Sequence, residues 1–131
     1  MKTRSLLLAL FLTPLLNAGA HAQEEIKPSS LVGKWTVSAP HPSGAQITTE
    51  VKLAKDLTFT TTTTANGKRI LEASGTWALA GSKLEWRYER SSQPVIQPGY
   101  VDVDELLSVS ETELKLTSKL SGKTHAYQRV R

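Results

Sequence analysis

Beyond the first 22 residues this chain has two histidines, His41 and His125. With a carboxylate they would make a zinc site only if a loop residue met a residue on a distant strand. No histidine pair stands at ligand spacing, so they read as an ordinary loop and an ordinary strand histidine, and no metal is expected. Asp102, Asp104 and Glu105 form a local acidic cluster. On a strand, Asp102 and Asp104 share a face and offer oxygens of the kind calcium takes. Without a glycine-bearing calcium loop they read instead as a solvated strand face. Serines are plentiful, but none lies in a Gly-x-Ser-x-Gly elbow. Glu85 and Glu89 are expected outward, opposite Trp86 and Tyr88, which gives paired-carboxylate chemistry no interior site. The chain is not expected to be an enzyme, and no cofactor is implied.

What positions these residues is a run of strands. Alternating residues are broken by turn signals about every eight to twelve positions. The pattern predicts strands over Gly33–Ser38, Gln46–Leu53, Leu57–Thr64, Arg69–Leu79 and Lys83–Arg90. Three more follow within Tyr100–Val109, within Glu113–Lys119 and over Lys123–Val130. Asn66-Gly67 is the strongest hairpin signal between them, because both residues tolerate positive φ. The threonine run Thr60–Thr64 reads as strand material, since β-branched residues favour strands.

Eight sequential strands with short connections predict an all-β fold: an eight-stranded antiparallel up-and-down meander closed into a barrel, which leaves no edge exposed. The two long, proline-bearing connections, Ala39 to Ala45 and Ser91 to Gly99, then fall at one end. That end is a loose rim, and the other is a tight floor. Expected inward residues near the floor are Trp35, Leu53, Leu57, Phe59, Trp77, Leu79 and Leu84. Nearer the rim they become Thr49, Thr61, Thr63, Ala73, Tyr88 and His125. The interior thus grades from bulky and apolar to small or hydrogen-bonding. An eight-stranded barrel is either filled by its side chains or holds one small ligand. The rim is the better candidate for function, because His41, Arg90, Gln93, Pro94 and Tyr100 flank the long loops and Tyr88 lies just inside. Tyrosine and arginine combine large contact area with polar reach. The candidate binding set is therefore His41, Thr49, Thr61, Thr63, Tyr88, Arg90, Tyr100 and His125.

Gly33-Lys34-Trp35 at the start of the first strand, with Arg129 near the end of the last, resembles a small exported bacterial lipocalin-like (calycin-type) domain. Gly75-Thr76-Trp77, Leu84-Glu85-Trp86 and Leu114-Lys115-Leu116 are similar to the middle and late strands of such proteins. The resemblance covers about Leu31 to Val130. It implies a lipocalin-like barrel and a structural role for Gly33, Trp35 and Arg129, with the arginine packed on the tryptophan at the floor.

The amino terminus assigns a destination. Lys2 and Arg4 precede an apolar core from Leu6 to Leu16, and Ala20-His21-Ala22 supplies a small-x-small cleavage site. This is the order of a signal peptide over residues 1–22, and its core is too short for a membrane anchor. Residues 23–30 then form a polar arm and residues 31–131 the barrel domain. Loss of Lys2 and Arg4 lowers the net charge from +4 to +2, too mild for a nucleic-acid partner. The chain has no cysteine, which excludes disulfides, thiol catalysis and lipid attachment after the signal. The expected product is exported, periplasmic or secreted, soluble and monomeric. Its expected role is to hold a small, largely apolar ligand at the barrel rim. A rival expectation is a protein partner engaged through the arm. Small exported metalloprotease inhibitors also pair an eight-stranded barrel with such an arm, and Ser29-Ser30-Leu31 ahead of Gly33 is loosely similar, although that family carries a disulfide this chain cannot form.

Overall fold

The structure is a computed structural model that describes residues 25–131, so the expected signal peptide and the first residues of the arm lie outside it. One helical turn, α1 (Pro28–Leu31), precedes eight strands. They are β1 (Gly33–Pro40), β2 (Gln46–Leu53), β3 (Thr58–Ala65), β4 (Lys68–Ala80), β5 (Lys83–Ser91), β6 (Val101–Val109), β7 (Glu113–Ser118) and β8 (Thr124–Arg129). Each pairs antiparallel with its neighbour in sequence, and β8 returns to β1, so the sheet is a closed up-and-down barrel. This is the predicted fold class. Among the described residues no helix is long and apolar enough to cross a membrane.

The hairpins follow local chemistry. Asn66 and Gly67 join β3 to β4 at φ 51° and 83°, the paired positive angles that match the twist of the flanking strands. The Asn66 side chain also accepts the Gln46 amide at 2.9 Å, tying this turn to β2.

Leu57 is a correction. It was expected inside at the start of the third strand, but it is 45% exposed and sits at φ 68°. The reason lies in the turn before it. The Leu57 amide donates to the Ala54 carbonyl at 3.0 Å, and Asp56 accepts both the Thr58 amide and the Thr58 hydroxyl. That turn consumes Leu57, and β3 begins one residue later.

The core occupies the floor half of the barrel. Trp35, Leu53, Phe59, Trp77, Leu84 and Leu106 are all buried there, and Leu79 packs partly buried against them. The Trp77 indole reaches the β2–β3 turn and donates to the Ala54 carbonyl at 3.2 Å.

Beneath the core, α1 and the end of β8 are tied together. The Trp35 indole donates to the Leu31 carbonyl at 2.9 Å, which holds α1 under the barrel with Leu31 fully buried. The Arg129 guanidinium lies 4.1 Å from the centre of the Trp35 ring. It donates to the carbonyls of Glu111 at 2.7 Å, Val32 at 2.9 Å and Ser30 at 3.1 Å. Gly33 completes the motif, because its φ of 144° is a glycine conformation and any Cβ there would collide with the Arg129 guanidinium. Ile26 also packs against the core. The described part of the expected polar arm, residues 25–30, is therefore anchored through Ile26 and the Ser30 carbonyl. Apolar contact and a guanidinium that needs carbonyl acceptors hold it down.

Candidate functional site

Four connections lie at the end opposite α1: β1–β2, β3–β4, β5–β6 and β7–β8. Three of them are structured by their own hydrogen bonds, the β7–β8 turn through the Gly122 amide donating to the Ser118 carbonyl at 2.8 Å. In the β1–β2 loop His41 donates its amide to Ala45 at 2.8 Å, and in the β5–β6 loop Tyr88 exchanges backbone hydrogen bonds with Gly99 and Tyr100. The long β5–β6 loop is thus fastened back onto its own strand.

Inside this end lies a cavity of about 220 Å³. Its lower wall is apolar and aromatic, made by Val51, Phe59, Trp86 and Leu116. Phe59 meets Trp86 and Tyr88 edge to face, at centroid distances of 5.1 Å and 5.3 Å. The β2–β3 wall is hydroxyl-rich. Thr49, Thr61 and Thr63 face the cavity, and Thr49 and Thr63, opposite one another in register, hydrogen-bond at 3.0 Å. Thr61 is only 7% exposed, and among the described residues its hydroxyl has no protein partner.

The opposite wall carries the charge. Asp102 and Asp104 of β6 line the cavity, with His125 and Tyr127 of β8 and Tyr88 of β5. This corrects the expected solvated strand face. The shared face was right, but it is the inner one. Leu106 is 3% exposed, and period-two alternation counted back from it turns Asp104 and Asp102 inward as well. Asp104 is 9% exposed and accepts the Trp86 indole N–H at 2.8 Å. Asp102 accepts the amide of Val103 at 2.9 Å.

Burial raises the pKa of both carboxyls. For Asp104 the Trp86 hydrogen bond and His125 oppose that rise, while Asp102 adds to it. For Asp102 the Val103 amide opposes it. Burial, reinforced by the two carboxylates, pushes both Tyr88 and Tyr127 up to about 12. The tyrosines are therefore neutral hydroxyls across the ordinary pH range.

Of the eight residues singled out in the sequence, five stand on the cavity wall: Thr49, Thr61, Thr63, Tyr88 and His125. Tyr100 lies beyond the mouth, 40% exposed, with its ring 5.9 Å from that of Tyr88. His41 stays in the exposed β1–β2 loop, where its Nδ1 accepts the Ser43 amide at 3.1 Å. Arg90 faces outward, beside Thr60, Thr62 and Glu72 on the barrel exterior. Sequence reasoning missed Asp102, Asp104, Ser118 and Tyr127. For β6 the usable signal was Leu106, whose parity places both aspartates inside.

No family model and no curated protein matches this chain. Among solved structures it is similar to the NMR structure of a protein from Bacteroides uniformis ATCC 8492. The TM-score is 0.59 at 15% identity, covering 82% of this chain and 96% of that one. At that identity the likeness concerns the fold alone.

Proposed function

We propose that this chain is an exported, lipocalin-like binding protein, not an enzyme, and that it holds one small molecule in the rim half of its barrel. The cavity carries this reading. It is smaller than the roughly 300–1,000 Å³ of sites for drug-sized ligands, which suits a compact occupant. Buried hydroxyls usually have a hydrogen-bond partner. Thr61 lacks one within the described protein, and it faces the cavity.

The two walls support a ligand with two ends. An apolar body matches Phe59, Trp86 and Leu116, as a largely apolar ligand would. A polar group matches the threonine and aspartate walls. The Gly33–Trp35–Arg129 arrangement supports the lipocalin-like assignment, because these are the residues on which the resemblance rests.

Native mass spectrometry of protein purified from its own host tests the reading. The expected result is a bound small molecule lost on denaturation. Ligand-free protein that also fails to bind any small amphiphilic probe after refolding would overturn it.

A further inference from the structure

We propose that the rim cavity selects for positive charge, and that its ligand is a small organic ammonium seated between Asp102 and Asp104 with its apolar body on Phe59 and Trp86. This rests on the reading of the cavity as a small-molecule site and names the class of molecule.

The first observation is the balance of charge. The whole chain carries 16 lysines and arginines against 12 acidic residues. Among the described residues no lysine or arginine lines the cavity, whereas two carboxylates do. His125 of β8 is the one basic side chain on the wall. An anionic ligand would meet like charge at close range. A neutral ligand would leave two partly desolvated carboxylates with only His125 opposing their charge, and that at Asp104 alone, which is costly.

The second observation is the count of open acceptors. Asp104 uses one oxygen for the Trp86 indole, and Asp102 uses one for the Val103 amide. Among the described residues the second oxygen of each has no protein donor. The Thr61 hydroxyl is likewise unpartnered while more than nine-tenths buried, and the Tyr88 and Tyr127 hydroxyls also lack protein partners there. The two open carboxylate oxygens only accept and the three hydroxyls are able to accept, so the wall fits a group that only donates. An ammonium has three N–H donors and no acceptor.

The third observation is the aromatic surround. Trp86 and Tyr88 stand beside the carboxylates, and the ring faces of such residues attract cations. A bare metal ion fits less well, because the described residues contain no group of three or more His, Asp or Glu placed to hold one.

Calorimetric titration of the purified protein with tyramine, 4-ethylphenol and 3-(4-hydroxyphenyl)propionate tests the inference, since the three share a body and differ in charge. Tyramine is expected to bind at least about tenfold more tightly than 4-ethylphenol, and the propionate not at all. Asp102→Asn and Asp104→Asn should each weaken tyramine about tenfold and narrow or abolish its advantage over 4-ethylphenol. If Asp104→Asn loses its native circular dichroism, Asp102→Asn carries the test. Equal affinity for tyramine and 4-ethylphenol overturns the charge inference and leaves the binding site standing. Failure of all three to bind overturns the charge inference, and the binding reading falls with it when the protein purified from its host also carries no ligand.

Discussion

The Trp86 indole donates its N–H to Asp104 at 2.8 Å, joining the aromatic floor of the cavity to its acidic wall. One bond thus fixes both the orientation of a core ring and one oxygen of a nearly buried carboxylate. Trp86→Phe keeps most of the apolar contact but leaves that carboxylate without its donor. The expected loss of stability is about 1–3 kcal/mol, the cost of an orphaned buried acceptor. Pairing Trp86→Phe with Asp104→Leu removes both partners and should recover most of the loss. Urea unfolding of the single and double variants measures this. A double variant as unstable as the sum of its parts would show that the bond is not the coupling.

At the floor, Arg129 joins Ser30, Val32 and Glu111 through their carbonyls while covering Trp35. Arg129→Lys keeps the charge but lacks the planar fork that reaches three acceptors. It should cost about 1–3 kcal/mol. Trp35→Ala removes a fully buried aromatic ring and should cost about 3–5 kcal/mol. Denaturant midpoints at unchanged m-value check both, and a neutral Arg129→Lys would refute the bridging role.

Asp102 gives a pH signature. Its carboxyl is raised by burial above the ordinary 3.8, so in the interval just above that value the folded state binds more protons than the unfolded state. Stability contributed by this group therefore falls as pH rises through that interval and stays lowered above it. Asp104, His125, Tyr88 and Tyr127 share the cavity with it, and Asp104 adds repulsion once ionised. Asp102→Asn should raise the melting temperature at pH 7. The gain should vanish near pH 3, where both wild-type states are protonated. Thermal scans at the two pH values decide, and a gain that persists at pH 3 would exclude charge as its source.

Leu57 sits at φ 68°, a left-handed conformation that a residue with a branched, bulky side chain adopts at a cost of about 1–2 kcal/mol. Asparagine tolerates this region better and keeps the Asp56–Thr58 turn intact. Leu57→Asn should stabilise by about 0.5–1 kcal/mol, allowing for the apolar surface lost from the notch that Leu57 lines with Trp77. Chemical denaturation checks it; a destabilised variant would mean that the apolar contact outweighs the backbone strain.

Much of the fold was legible along the chain. The period-two alternation, Asn66-Gly67 and the short connections carried the strand number and order, because each depends on residues close in sequence. The uneven loop lengths also placed the rim, since parity in a meander is a counting matter. Leu57 was misplaced because a turn with an Asp56 cap competes locally for a residue that alternation alone assigns to a strand.

The acidic wall was legible only in part. Alternation placed Asp102 and Asp104 on one face, but a pair of carboxylates reads as solvent-facing until a buried neighbour sets the parity. Leu106 sets it, and what buries Leu106 is closure of the barrel around a core drawn from every strand but β8. The amino-acid sequence by itself determined the strands, their order and the residues able to carry charge. Only the tertiary structure decided that two of those charges face inward beside Trp86, because burial is a property of the closed sheet and not of any strand within it.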